Sequence, residues 1–478
     1  MTGPVMLQTL GHLPIGWLLI APLAAAGFFA FSYGRTEVAA MPIGSSIDAR
    51  LNSQPNYHGY FLAFCTTLPA ALVFLMYLLT AEGFVRSALV EEFPTYLTDR
   101  GPEQVNLFVE RVASYAQHRE TEATGNHLFD ASVARYWALT GFARVVGILF
   151  AVGLGAGGFF LGRRQLSRSF PARRYVEKTI SGLLFVCAAI AILTTLGIVL
   201  SLVFETIRFF SLPNAPHIGA FLFGTDWNAQ TEQNFGALPL FFGTLMIAIL
   251  AMAVAVPVGL FAAIYLSEYA SPRFRSWAKP TLELLAGIPT VVYGFFAATL
   301  IAPLVRSFAQ WVNASPMTPD NFLAAQPTNA LAAGLIMGVM IIPFVSSLSD
   351  DVINAVPQSL RDGALAMGAT RAEMIQQVVL PAALPGIIAS ILLAVSRAIG
   401  ETMIVVMAAG GRAQITLDPT SDMTTVTYQI VSLLTGDTAF DSSRTVSAFA
   451  LGFVLFGVTL LFNVIALRVV KRYREAYD

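Results

Sequence analysis

Long apolar runs separated by short polar ones dominate the chain. Nine runs approach the length of a bilayer-crossing helix: 14–33, 59–80, 141–162, 180–204, 238–266, 282–305, 330–348, 384–408 and 446–468. A spanning helix needs about 20 mainly apolar residues. The pattern therefore predicts an all-α polytopic membrane protein. The first run carries Pro14 and Pro22 and is the weakest. No charged residue precedes Arg35, so the run lacks the positive leader of a signal peptide and reads as a retained span. Residues 180–478 hold six of the runs and form a core, and residues 1–162 are an extension in front of it.

Between the second and third runs, residues 81–140 make the largest polar segment. Two stretches in it, VNLFVERVASYAQ and FDASVARYWAL, have helical spacing. Sixty residues bury little core alone, so a small helical insertion is expected rather than a catalytic domain.

Composition supports the membrane reading. Of 478 residues, 56% are hydrophobic and 12% charged, and mean hydropathy is +0.67. Soluble domains carry about 25% charged residues. The formal net charge of −1 gives no bulk attraction to a polyanion, so no nucleic-acid partner is expected. Cys65 and Cys187 both fall in apolar runs, and the five histidines lack ligand spacing, so no disulfide framework or metal site is expected. No glycine-rich Walker loop occurs, so no nucleotide is bound through one.

The placement of charge orients the chain. Residues 163–179 form a basic linker with Arg163, Arg164, Arg168, Arg173, Arg174 and Lys178. Arg273, Arg275 and Lys279 form a second basic loop, and Arg468, Lys471, Arg472 and Arg474 close the chain. The positive-inside rule puts all three in the cytoplasm. The C-terminus is then cytoplasmic, the 81–140 insertion external, and the polar 409–445 loop, with Asp418, Asp422, Asp437 and Asp441, also external. The basic linker could also touch anionic headgroups, although setting topology is the simpler reading.

The most informative stretch is Asp362 to Glu401. Its first part mixes Asp362, Arg371 and Glu373 with apolar residues and predicts an amphipathic helix. LPAALPG follows, where two prolines are expected to break the helix before a span begins. That span holds two charges, Arg397 and Glu401, at i and i+4, placed to share a helix face and touch. A charge in hydrocarbon costs roughly 2.5–3.5 kcal/mol on insertion scales, so intramembrane charges generally serve a function. A guanidinium suits an oxyanion. A carboxylate beside it accepts a hydrogen bond from protonated phosphate but repels sulfate, which has no proton to give. A structural salt bridge locking two helices is the other reading of the pair. Gly287-Ile288-Pro289 predicts a local break near Glu283, and Arg306 and Arg412 fall at external span ends.

The stretch from Asp362 to Pro381 resembles the cytoplasmic loop of ABC importer permeases: Glu-Ala-Ala, three residues, Gly, nine residues, Ile-x-Leu-Pro. Here Asp362-Gly363-Ala364 stands for the triplet, Gly368 for the glycine, and Val378, Leu380 and Pro381 for the end. SRAIGET at 396–402, FLFGTDWN at 221–228, AVPVGLFAAIYLSEYA at 255–270 and AGIPTVVYGFFA at 286–297 further resemble the PstC-type permeases of phosphate ABC importers. The resemblance covers about 300 residues and leaves out 1–162. It implies a six-span permease core with a coupling helix at 361–377. Arg361, Asp362, Gly363, Ala364, Gly368, Leu380 and Pro381 would then meet an ATPase, and Arg397 and Glu401 would line the substrate path. It implies no enzymatic activity and no cofactor in this chain, with ATP held by the partner ATPase. The implied partners are a second permease of the PstA type, a PstB-type ATPase dimer, a PstS-type periplasmic phosphate-binding protein and membrane lipid, and the implied location is the bacterial inner membrane. Two rival expectations stand beside phosphate import: a permease for molybdate or sulfate, and a membrane sensor or scaffold with vestigial transport.

Overall fold

The structure, a computed structural model, describes residues 15–41, 52–92, 102–117, 127–213, 215–229, 231, 234–314, 323–324, 326–435 and 442–474. Pro14, Asp437 and Asp441 lie outside these, as do residues 93–101 and 118–126 of the insertion. Eight helices among the described residues are long and apolar enough to cross a membrane: 55–91, 129–165, 172–210, 238–269, 290–313, 330–355, 371–399 and 443–469. The run at 14–33 forms helix α1 (Ile15–Ala40), which is not among the eight. Its second half carries Arg35 and Glu37.

The chain divides into two compact units, residues 1–192 and 193–478. The first unit is built on α1, α2 (Pro55–Glu92), α3 (Pro102–Gln117) and α4 (His127–Gln165). Its core gathers Ala30, Val38, Phe61, Leu62, Leu166 and Val176. Helices α2 and α4 run on into the 81–140 insertion. With amphipathic α3 they enclose a satellite cluster of Val85, Leu89, Val109, Val112, Ala116 and Tyr136. Helix α5 (Ala172–Phe210) carries the unit boundary within it.

In the second unit, α6 (Ile218–Phe223) leads to a short hairpin, β1 (Trp227–Asn228) with β2 (Asn234–Phe235). The strands are antiparallel and Trp227 faces Phe235. Helices α7 (Leu238–Ile264) and α11 (Ala330–Ala355) form the centre. They approach closely, and a side chain at Gly338 would meet the Ala251 carbonyl. Ile247, Ala251, Met337, Ile341 and Val345 pack there with Ala394 and Ile404 from later helices. Between α7 and α11 lie α8 (Pro272–Ala286), α9 (Thr290–Phe296) and α10 (Ala302–Asn313). After α11 come α12 (Gln358–Ala366), α13 (Arg371–Met374), α14 (Leu380–Ile399), α15 (Met403–Ala408), α16 (Val426–Leu434) and α17 (Ser443–Arg474).

The structure corrects several expectations. The span set at 282–305 begins at Thr290, because Gly287-Ile288-Pro289 separates amphipathic α8 from the apolar helix. The prolines of LPAALPG break nothing. Residues Ile375–Val379 form a π turn, and Pro381 falls in the first positions of the α-helix that continues from it. The widened turn re-routes the backbone bonds, with the Leu380 N–H reaching the Ile375 carbonyl. The spanning helix therefore starts at Arg371. The span set at 384–408 stops at Ile399, and Gly400, Glu401 and Thr402 leave the helix before α15.

The 409–425 segment is folded against the N-terminal end of α11. The Leu331 N–H donates to the Pro419 carbonyl at 2.8 Å, and the Ala330 N–H to Ser421 at 3.1 Å. The Asp418 carboxylate accepts from the Ala324 and Thr420 N–H groups. Burial pushes the Asp422 carboxyl up, while the N–H groups of Arg412 and Gly411 pull it back. Thr420, Ser421, Thr424, Thr425 and Thr427 are all buried. Buried non-helical backbone is stable only when its polar groups are paired, and these bonds to the start of α11 supply part of that pairing.

Candidate substrate path and coupling surface

The break at Gly400 decides the geometry of the two intramembrane charges. An uninterrupted helix would set Arg397 and Glu401 on one face. Because α14 ends at Ile399, they part, and no ion pair joins them among the described residues. The expected i,i+4 contact is corrected on that ground. Glu401 turns back toward its own chain: its carboxylate accepts from the N–H of Met403, the first residue of α15, at 3.2 Å. Its carbonyl accepts from the Thr427 hydroxyl at 2.8 Å, which ties the break to α16. Arg397 is exposed, and its guanidinium lies over the Phe344 ring, 5.6 Å from the centroid. Phe344 follows Pro343 on α11. The arrangement leaves a cation on an aromatic shelf on one side of the break and a carboxylate with one oxygen engaged on the other. Such a site can receive an anion and a proton donor on it.

The second site follows the C-terminal end of α11. Helix α12 stops because Gly368 takes φ of +87°, a left-handed position suited to glycine. The Ala369 N–H then reaches the Ala364 carbonyl at 3.2 Å, closing a Schellman turn. Thr370 starts the next helix with a capping box to Glu373. The predicted single helix at 361–377 is thus a helix, a tight turn and a second helix. Met367 projects from the turn, 89% exposed, with Leu360 and Leu365 exposed beside it.

The residues predicted to meet an ATPase divide between two faces. Asp362 is exposed and accepts from the Gln358 side chain at 3.1 Å. Gly363 is exposed, with open space where a side chain would go. Ala364 and Leu380 are half-buried against the cluster of Ile353, Met374, Ile375 and Ile387. Pro381 is exposed at the start of α14. Arg361 turns inward and is 8% exposed. It pairs with Glu268 at 3.1 Å and donates to the Ile353 and Val356 carbonyls. Arg361 therefore holds α12 to the rest of the unit and does not present itself at the surface. Gly368 is required by its backbone angle, and nothing approaches it closely.

Sequence reasoning missed Glu268 and Asp350. Glu268 sits in the π turn Tyr265–Tyr269 at the end of α7, which aims it inward at 7% exposure. Asp350, 2% exposed, accepts from Arg275 at 3.1 Å, Lys279 at 2.8 Å and Asn354 at 2.9 Å. The hydrogen bond to Asp350 raises the Lys279 ammonium above the ordinary lysine range. The only signal in the sequence was an acidic residue just past the C-terminal end of each of two apolar runs. Glu283 is exposed and borders a small cavity with Lys279, Ser346 and Asp350. Arg306 and Arg412 are both exposed. Among the described residues no group of three His, Cys, Asp or Glu side chains could hold a metal ion.

Residues 255–475 match the family described as binding-protein-dependent transport system inner membrane component. Residues 19–194 match the family described as phosphate ATP-binding cassette transporter, so the family likeness extends into the extension that the sequence motifs left out. The phosphate transport system permease protein PstC of Mesorhizobium japonicum is 34% identical over 258 residues, 52% of this chain and 76% of that protein. PstC 1 of Mycobacterium tuberculosis is 35% identical over 249 residues, 50% of this chain and 73% of that protein. The chain belongs to the PstC family of phosphate transport system permeases. PstC of Haemophilus influenzae matches 98% of its own length at 28% identity, across 65% of this chain. Among solved structures, a bacterial ABC transporter importing alginate aligns over 63% of this chain and 99% of that chain at 18% identity, with a TM-score of 0.44. As a PstC-family permease the chain is a multi-pass, all-α membrane component rather than an enzyme, and it works with a separate ATPase and a substrate-binding protein.

Proposed function

We propose that this chain forms half of the translocation path of an ATP-driven inorganic phosphate importer in a bacterial inner membrane. The carrying observation is Arg397, exposed on the Phe344 ring beside the helix break, with no ion-pair partner among the described residues. A second, PstA-type permease supplies the other half of the path. A PstB-type ATPase dimer binds ATP and docks on Leu360, Asp362, Gly363, Leu365 and Met367, and a PstS-type periplasmic protein delivers phosphate. The C-terminus is cytoplasmic, and the chain itself holds no cofactor.

Arg397 takes one or two phosphate oxygens through its planar fork. The free oxygen of the Glu401 carboxylate accepts the proton that monohydrogen phosphate still carries. Sulfate leaves that oxygen unpaired beside a like charge, and a site built for hydrogen bonding rejects such analogues by up to about 10⁴–10⁵. Driven by ATP, the two permeases rock about this point, and the α12–α13 turn carries the motion into α14.

The test is uptake of radiolabelled phosphate by cells expressing the chain with its partner subunits, with and without excess sulfate. Uptake should require ATP and ignore sulfate. Arg397→Ala should abolish it while the complex still assembles. Competition by sulfate would move the reading to another oxyanion, and normal uptake in the Arg397 variant would remove that residue from the path.

A further inference from the structure

Phosphate selection as proposed above depends on where the Glu401 carboxylate sits, yet Glu401 lies outside any helix, between α14 and α15. Its place is set partly by Met403, whose N–H its carboxylate holds. Met403 is in turn set by a neighbouring helix. Helix α9 packs against α15 at the buried Gly294. A Cβ at Gly294 would lie 3.0 Å from the Met403 carbonyl oxygen, 3.0 Å from the Met407 sulfur and 3.3 Å from the Ile404 Cα. Backbones approach so closely where a side chain is missing. Glycine inside a helix is otherwise disfavoured against alanine, so helix propensity does not account for it.

Helix α9 is the firmer of the two partners. The Tyr293 hydroxyl donates to the Leu285 carbonyl at 2.9 Å and straps α9 to the end of α8 across the Gly287-Ile288-Pro289 break. Ala297, one turn beyond Gly294, is fully buried. Helix α15 has six residues and starts directly after the break that holds Glu401. A side chain at position 294 would therefore press on α15, and its first contact would be the residue that Glu401 holds.

We propose that Gly294 is a positioning residue for substrate selection: its missing side chain seats α15 so that the Glu401 carboxylate meets the proton of monohydrogen phosphate. This rests on the reading in which Arg397 and Glu401 receive the anion. Gly294 does not touch the anion and acts only through Met403. A glycine needed for packing alone would affect the amount of assembled complex but not the choice between phosphate and sulfate.

The test measures uptake of radiolabelled phosphate by cells expressing the chain with its partner subunits, over a range of phosphate concentrations and against increasing sulfate. The parent, Gly294→Ala and Glu401→Gln are compared. A methyl at 294 makes its neighbours yield by a few tenths of an ångström. Misplacing a binding group by about 1 Å costs on the order of 100-fold. Gly294→Ala should therefore raise the KM for phosphate and lower the preference over sulfate by roughly tenfold, with the maximal rate and the amount of complex near those of the parent. Glu401→Gln should lose the preference. If Glu401→Gln keeps it, the reading of the anion site fails and the proposal with it. If Glu401→Gln loses it and Gly294→Ala keeps it, the site stands and only the role of Gly294 falls. Should Gly294→Ala not assemble, Gly294→Ala with Met407→Ala takes its place, since the sulfur contact is then gone and the Met403 carbonyl contact remains. An unchanged preference in that variant, or failure of both to assemble, would overturn the proposal.

Discussion

Arg361 and Arg397 look alike in the sequence, each a lone cation beside an acidic residue, yet they do opposite things. Arg397 ends on an aromatic face open to whatever approaches it, whereas Arg361 is sealed against Glu268 and two carbonyls. Removing one member of a buried pair strands the other and costs about 3–5 kcal/mol. Arg361→Met should therefore lower the melting temperature of the purified chain markedly, and Glu268→Leu should do the same. The double variant should recover part of the loss, because both charges are gone, but not all of it, since the Ile353 and Val356 carbonyls lose their donor. Additive losses in the double variant would show that the pair is not coupled. Neither outcome depends on transport, which separates the structural part of Arg361 from the docking part expected from its sequence neighbours. Glu401 teaches a related lesson. Four residues from Arg397, it was legible as a partner, but its carboxylate instead accepts from the first N–H of the short helix that follows.

Helix ends and irregular turns do most of the positioning. The π turn at Tyr265–Tyr269 aims Glu268 inward, and the one at Ile375–Val379 lets α14 run on through a proline. The turn between α12 and α13 hangs on Gly368. Gly363→Ala and Gly368→Ala are the same change five residues apart with opposite expected signs. At Gly363 the new methyl meets open space within a helix, and alanine is favoured there by up to about 1 kcal/mol. At Gly368 the left-handed φ penalises any side chain by roughly 1–2 kcal/mol. Thermal unfolding of the two variants should bracket the parent chain. A Gly368→Ala protein as stable as the parent would mean that the turn is not held in that conformation. The same variant should also uncouple ATP hydrolysis from uptake, since Met367 and Leu365 stand on this turn.

At the scale of the whole molecule, the cores of the two units are separate. The residues packed around Ile247, Met337 and Ile404 all belong to 193–478, while those around Phe61 and Leu62 all belong to 1–192. A chain lacking residues 1–162 keeps α5 and every core cluster of the second unit. It should assemble and import phosphate, and its uptake rate compared with that of the full chain measures what the extension contributes. Loss of uptake with the complex intact would make the extension part of the transport cycle. It would also revive the reading in which this part of the chain senses or signals.

Much was legible from local signals. Hydrophobic run length marked the membrane spans, because bilayer thickness sets that length regardless of the partners a helix finds. Charge placement gave an expected orientation, and the spacing from Asp362 to Pro381 marked the segment proposed here as the coupling surface. Each of these depends on residues near one another in the chain. What the sequence could not decide was direction in space. Whether Arg361 faced in or out depended on Glu268, 93 residues away, and on a π turn that no hydrophobic period records. Whether Arg397 met Glu401 depended on a helix ending at Gly400, and Thr427 holds that break from another helix. Spans follow from the solvent, which every residue meets alone. Side-chain direction follows from packing, where a difference of one helical turn decides which of two charges is paired and which is left to bind.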